Sequence, residues 1–86
     1  MKVSEFEKRV WDLEHLRLVV RANRNEEVDE YDYKNAANEN WRITEFVKNR
    51  VADRVDGREV TVIQGDGRVA HGNTLLYALR DSYSAE

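Results

Sequence analysis

Between Glu26 and Asp32 the chain places five carboxylates in seven positions, Glu26, Glu27, Asp29, Glu30 and Asp32, with no base among them. Ionised groups leave water only at high cost unless they are paired, so the run reads as a loop or short extended segment after the turn-like Asn23-Arg24-Asn25. The clustered charges repel one another, which costs stability unless a cationic partner or a neighbouring arginine offsets it. Tyr31 and Tyr33 are interleaved with the acids. Tyrosine beside charge is a common interface composition, and it equally suits anchors to the protein's own core.

The excess acidity is confined to that segment. Residues 1–25 carry six Lys/Arg against four Asp/Glu, and residues 34–86 carry eight of each. Eighty-six residues make one domain, 1–86, with room for one modest core. The composition, 41% hydrophobic and 36% charged, describes a soluble chain with a thin core. No apolar stretch approaches the length of a membrane span, and Met1-Lys2-Val3-Ser4 leads into charge without a signal-peptide core. The expected compartment is the cytoplasm. There is no cysteine, so disulfides, a thiolate nucleophile and Cys-based zinc sites are excluded.

Ser4-Glu5-Phe6-Glu7 has the form of a capping box, and Phe6, Val10 and Leu13 then give one apolar stripe with Glu7, Lys8, Arg9, Asp12 and Glu14 outside it. From Leu16 the apolar residues alternate with Arg17, Val19 and Arg21, which predicts a strand over 15–22; one helix over 4–22 is the alternative. Trp41 and Ile43 suggest a short strand pairing with Tyr31 and Tyr33. Thr44 is a candidate N-cap for a helix through Val55, with Val47, Val51 and Val55 inward and Gly57 as its stop. Val60, Val62 and Ile63 mark a strand covered on both faces, ended by the turn Gly65-Asp66-Gly67. Asn73 or Thr74 caps a last helix with Leu75, Leu76, Leu79 and Tyr83 inward. The expected fold is therefore α+β, a small single domain with a short mixed sheet of two to four strands packed with about three helices.

Little in the chain looks catalytic. His15 and His71 are the only imidazoles and lack metal-ligand spacing, so no metal site and no cofactor are expected. His15 reads as a junction residue between helix and strand, and His71 as a loop residue. Ser82, His71 and Asp66 could be drawn as a triad, but none has a nucleophile-elbow context. Gly65-Asp66-Gly67 lacks the Lys of a phosphate loop and reads as a plain turn. The chain is therefore read as a non-enzyme. A cationic strip of Arg17, Arg21 and Arg24 along the strand gives an alternative function, binding of nucleic acid phosphates, although the chain lacks a DNA-reading motif.

A wider pattern joins these segments: Val10-Trp11-x-Leu13-Glu14, Leu16-Arg17-Leu18-Val19-Val20-Arg21-Ala22, Asp32-Tyr33-x-x-Ala36-Ala37, Ile43-Thr44-Glu45-Phe46, Val60-x-Val62-Ile63-x-Gly65-x-Gly67, and His71-Gly72-x-Thr74 leading to Leu79-Arg80-x-Ser82-Tyr83. It resembles small phage and prophage proteins among which type I anti-CRISPR proteins are found. The resemblance implies a stoichiometric, cofactor-free inhibitor in the bacterial host cytoplasm. Such an inhibitor binds a protein subunit of a Cascade-type surveillance complex and blocks target DNA binding or nuclease recruitment. Glu26, Glu27, Asp29, Glu30, Asp32, Tyr31 and Tyr33 would then be the contact residues, the acids standing in for DNA phosphates. A monomer or weak homodimer is expected, and a plain interaction module such as an antitoxin is a third reading.

Overall fold

A computed structural model of the chain, which describes residues 1–83, opens with helix α1 (Val3–Glu14). It starts earlier than a Ser4 cap would allow: Lys2 is the N-cap, and its backbone N–H donates to Glu5 Oε1 at 2.9 Å. Val3 and Ser4 donate their backbone N–H groups to the carbonyls of Glu26 (2.9 Å) and Arg24 (3.2 Å). The helix start is thus satisfied by the chain that carries the acidic run, which leaves Ser4 nothing to cap.

The buried face of α1 is Val3, Phe6, Val10 and Glu14. Leu13, expected inside, is half-buried, whereas Glu14, expected outside, is wholly buried. The spacing explains this, because positions 3, 6, 10 and 14 follow the i, i+3, i+7, i+11 line of one helical stripe. His15 ends the helix in a left-handed conformation, φ 57°, its N–H bonded to Trp11 O at 2.9 Å. It is the junction residue the sequence suggested.

Strand β1 (Arg17–Val20) follows with Leu18 and Val20 buried and Arg17 and Val19 exposed, so the period-2 pattern wins over helix continuation. It pairs antiparallel with β2 (Val60–Ile63), Leu18 opposite Val62. The α+β class is as expected; the sheet has two strands, both antiparallel. In β2 only Val62 is buried, so that strand is not covered on both faces.

Between β1 and residue 43 the chain has no helix or strand, yet it is not loose. Val28, Tyr31 and Ala37 insert into the core, and backbone bonds run from Val28 N–H to Met1 O (2.8 Å) and from Asp29 N–H to Arg54 O (2.9 Å). Trp41 and Ile43 form no strand. Arg42 makes an isolated bridge to Leu75, and Ile43 begins helix α2 (Ile43–Phe46), whose N-cap is Arg42 with its N–H on Glu45 Oε1 at 3.0 Å. Thr44, expected as that cap, instead donates its backbone N–H to Gly72 O at 3.1 Å. From Val47 to Val51 the helix widens to π spacing, with Ala52 N–H reaching Val47 O at 2.8 Å, and it ends there, short of the expected Val55; residues 52–57 form turns that close at Gly57, φ 73°.

Helix α3 (Leu76–Ser82) closes the core with Leu76 and Leu79 buried; its N-cap is Leu75 rather than Asn73 or Thr74. Gly65 is required where this helix ends, because a Cβ there would fall 1.8 Å from the Ser82 carbonyl oxygen. The Tyr83 hydroxyl accepts Arg17 N–H (2.9 Å) and donates to Ile63 O, so it plugs the open end of the β1–β2 ladder.

Candidate functional site

The acidic run lies along the surface, with Val28 and Tyr31 buried in the core and every carboxylate exposed. Its backbone is pinned to Met1 and Arg54, which holds the two buried side chains in and the acids out. Three of the five acids have partners within the chain. Glu26 meets Arg58 at 3.0 Å, Asp32 meets Arg54 at 3.3 Å, and Glu27 lies 3.3 Å from the Met1 amino nitrogen. These are surface pairs: the Glu27 and Asp32 side chains remain 74% and 69% accessible. Each such pair contributes about 0 to 1 kcal/mol and leaves lone pairs for an outside donor.

Asp29 and Glu30 make no ion pair among the described residues. Beside them stands Asp53, from the turn after the π segment, also exposed and also unpaired among the described residues. Asp29, Glu30, Asp32 and Asp53 surround Arg54 in one shallow depression. A neighbouring one holds Glu27, Asp29, Asp53 and Asp56 with Arg54 and Arg58. The face is therefore built from two chain segments, and Asp53 and Asp56 belong to it although sequence reading did not single them out. Their only sequence signal was position: both lie in the turn beside Arg54 and Arg58, the two arginines that pair with the run.

The tyrosines do other work. Tyr31 is 1% exposed, so it cannot touch a partner as expected of it. Its ring packs edge-on against Phe6 at 5.5 Å, and its hydroxyl donates to Glu14 Oε2 at 2.5 Å. Tyr33 is half-buried beneath the guanidinium groups of Arg50 and Arg54, at 4.1 and 4.5 Å from its ring, and its carbonyl accepts Arg9 Nη2 at 3.0 Å. Both are clamps that fix the run to the core.

The clamp centres on Glu14. Its Oε2 accepts Tyr31 Oη and Arg50 Nη1 (2.7 Å), and its Oε1 accepts the Ala37 N–H (2.8 Å) and Arg80 Nη2 (2.9 Å). Arg80 Nε also bonds the Glu14 carbonyl at 2.8 Å, and Arg50 reaches Asn35 O at 2.8 Å. Four donors on one buried carboxylate satisfy it fully, which is the condition under which burial of a charge is tolerated. Burial and then the Glu14 carboxylate push the Tyr31 phenol well above its ordinary value, so it stays a donor. For Arg50 burial opposes the charged form, but Tyr31 and Glu14 outweigh it and hold the guanidinium more firmly protonated.

The cationic strip is only partly free. Arg21 pairs with Glu59 at 3.6 Å and Arg24 with Glu7 at 3.1 Å, while Arg17 lies over the Trp11 ring at 5.6 Å. The residues of the drawn triad are engaged elsewhere. Ser82 Oγ donates to Leu79 O and accepts Gly65 N–H, His71 Nδ1 accepts Asn73 N–H, and Asp66 caps its own turn through Arg68 N–H and Gln64 Nε2. Among the described residues no group of three His, Cys, Asp or Glu is placed to hold a metal, and no helix is long and apolar enough to cross a membrane.

Comparison with protein families, curated proteins and solved structures finds no match to this chain.

Proposed function

We propose that this protein is a stoichiometric inhibitor that sets its acidic face on a cationic, DNA-reading surface of a type I CRISPR surveillance complex, in the cytoplasm of a bacterial host. The observation that carries the reading is the group Asp29, Glu30 and Asp53, exposed and without an ion pair among the described residues, on a backbone fixed at both sides. A fixed array of carboxylates offers lysine and arginine what DNA phosphates offer them, with little ordering cost on binding. Internal pairing of Glu26, Glu27 and Asp32 narrows the proposed contact set toward Asp29, Glu30 and Asp53, with the paired acids at the rim.

The test is competition. Purified surveillance complex is mixed with the protein and then with labelled target duplex. The reading requires that the wild-type chain reduces duplex binding and that the variant Asp29→Asn/Glu30→Gln/Asp53→Asn does not. Full inhibition by that variant would remove the acidic face from the mechanism. The alternative, phosphate binding through Arg17, Arg21 and Arg24, has weaker support because Arg21 and Arg24 already pair with carboxylates. It requires direct, steeply salt-dependent binding of duplex DNA by the protein alone.

A further inference from the structure

A second surface lies between β2 and the helix that runs from α2 into the π segment, a groove of about 430 Å³ walled by Val47, Lys48 and Ala52 on one side and by Val60, Thr61 and Val69 on the other. It borders an unfinished sheet edge. Arg21 N–H bonds Glu59 O at 2.8 Å, and the register pairs Val19 with Thr61, so the odd-numbered residues of β2 bond β1. The main-chain groups of Val60 and Val62 therefore point to the outer edge of the sheet.

The returning chain covers only the far end of that edge. Val69 bridges Ile63, with Gln64 N–H on Arg68 O (2.9 Å) and Ala70 N–H on Val62 O (2.8 Å). Continued, the same register would set Gly72 opposite Val60, but the chain leaves β2 there and the Gly72 carbonyl accepts Thr44 N–H at 3.1 Å. Val60 N–H and C=O are left without a hydrogen bond among the described residues. Leu18, on the outer edge of β1, lacks such bonds too, but α1 lies along that edge and Leu18 is only 2% exposed. Val60 is partly exposed and lines the open groove, which makes it a pairing position that an added strand can reach.

The chemistry of the groove limits its occupant. Val47, Ala52, Val60 and Val69 make its surface mainly apolar, with Val69 68% exposed. Lys48 is the one charged residue lining it, exposed and without an ion pair among the described residues.

We propose that this groove takes a short extended segment of a partner protein, which prolongs the line of residues 68–70 antiparallel to β2, exchanges both main-chain hydrogen bonds with Val60 and carries a carboxylate to Lys48. The segment residue opposite Val60 shares its face of the sheet, so it is apolar and packs on Val47 and Ala52. A second copy of this chain fits less well, since the groove holds no carboxylate to meet the other copy's Lys48. The groove shares no residue with the acidic face, so the two readings fail independently.

The probe is the peptide acetyl-Thr-Val-Thr-Val-Glu-amide, titrated into the labelled full chain while backbone amide shifts are followed. The proposal expects saturable shifts centred on the Val60 amide, and slower hydrogen exchange there when peptide is bound. Successive N–H groups of a strand point to opposite sides, so N-methylation at one of the two valines should weaken binding about tenfold while N-methylation at the central threonine leaves it unchanged. Replacing the peptide Glu by Gln should weaken binding about threefold, and Lys48→Glu in the protein should weaken it at least as much. The peptide comparisons use the unaltered protein, so they decide the matter even if Lys48→Glu does not fold. No shift at Val60, or equal loss on methylating valine and threonine, overturns the proposal. So do shifts at Val60 that appear when the protein alone is concentrated, which would assign the groove to a second copy.

Discussion

Two sets of carboxylates divide the work of this molecule. Glu14 sits in the core with four donors converging on it, while Asp29, Glu30 and Asp53 sit in water with no ion pair among the described residues. The same chemical group thus serves opposite ends. Inside, it gathers α1, the irregular segment, the π turn and α3 at a single point, and outside it leaves negative potential facing solvent. The joint between the sets is Tyr33 with Arg50 and Arg54. Arg50 serves Glu14 and Arg54 serves Asp32, and both lie on one ring.

That contrast breaks most visibly at Glu14. Glu14→Ala leaves two arginines, a phenol and the Ala37 N–H facing an emptied site, and removal of one partner from a buried pair costs about 3 to 5 kcal/mol. Whole-domain stability is about 5 to 15 kcal/mol, so the variant should show a large fall in the urea midpoint or no folded baseline. A loss below about 1 kcal/mol would mean that the network is dispensable.

Next comes Tyr83→Phe, which removes the hydroxyl between Arg17 N–H and Ile63 O and should lower stability by about 1 to 3 kcal/mol by the same measurement. Alkaline pH sharpens the contrast without a mutation. Burial raises both Tyr31 and Tyr83 above the ordinary value of 10.0, so the unfolded state loses those protons first. Their stabilisation is whole below about pH 10 and is lost as pH climbs past it. Ultraviolet titration should show two of the four tyrosines ionising only together with loss of the circular dichroism of the fold.

The smallest effect belongs to the outer set. Asp29→Asn/Glu30→Gln/Asp53→Asn should move stability by less than about 0.5 kcal/mol per site, because these side chains have no ion pair among the described residues. A large loss there would show that the outer acids also support the fold.

How far the sequence could be read follows the same line. The first helix, the strand that lies within 15–22 and the turn Gly65-Asp66-Gly67 were legible because periodicity and turn chemistry are local properties, whereas the second helix ends at Val51 and not at the expected Val55. Glu14 was not legible as core, since burial of a carboxylate depends on Arg50, Arg80 and Tyr31 arriving from 36, 66 and 17 residues away. The caps at Lys2, Arg42 and Leu75 were missed for a related reason: distant carbonyls, of Arg24 and Glu26 for α1, Gly72 and Thr74 for α2, and Glu39 and Trp41 for α3, satisfy the helix starts that local side chains would otherwise serve. Of the acidic site, the run was plain to see, but its partial neutralisation by Arg54 and Arg58 and its extension to Asp53 exist only once the π turn is folded against it.

The most direct test of the outer set's role is the association rate of the protein with immobilised type I surveillance complex, measured across ionic strength for the wild-type chain and the triple neutral variant. The account predicts fast association for wild type that slows steeply as salt rises, and a slower rate with a much flatter salt dependence for the variant. Equal rates and equal salt slopes for the two proteins would contradict it.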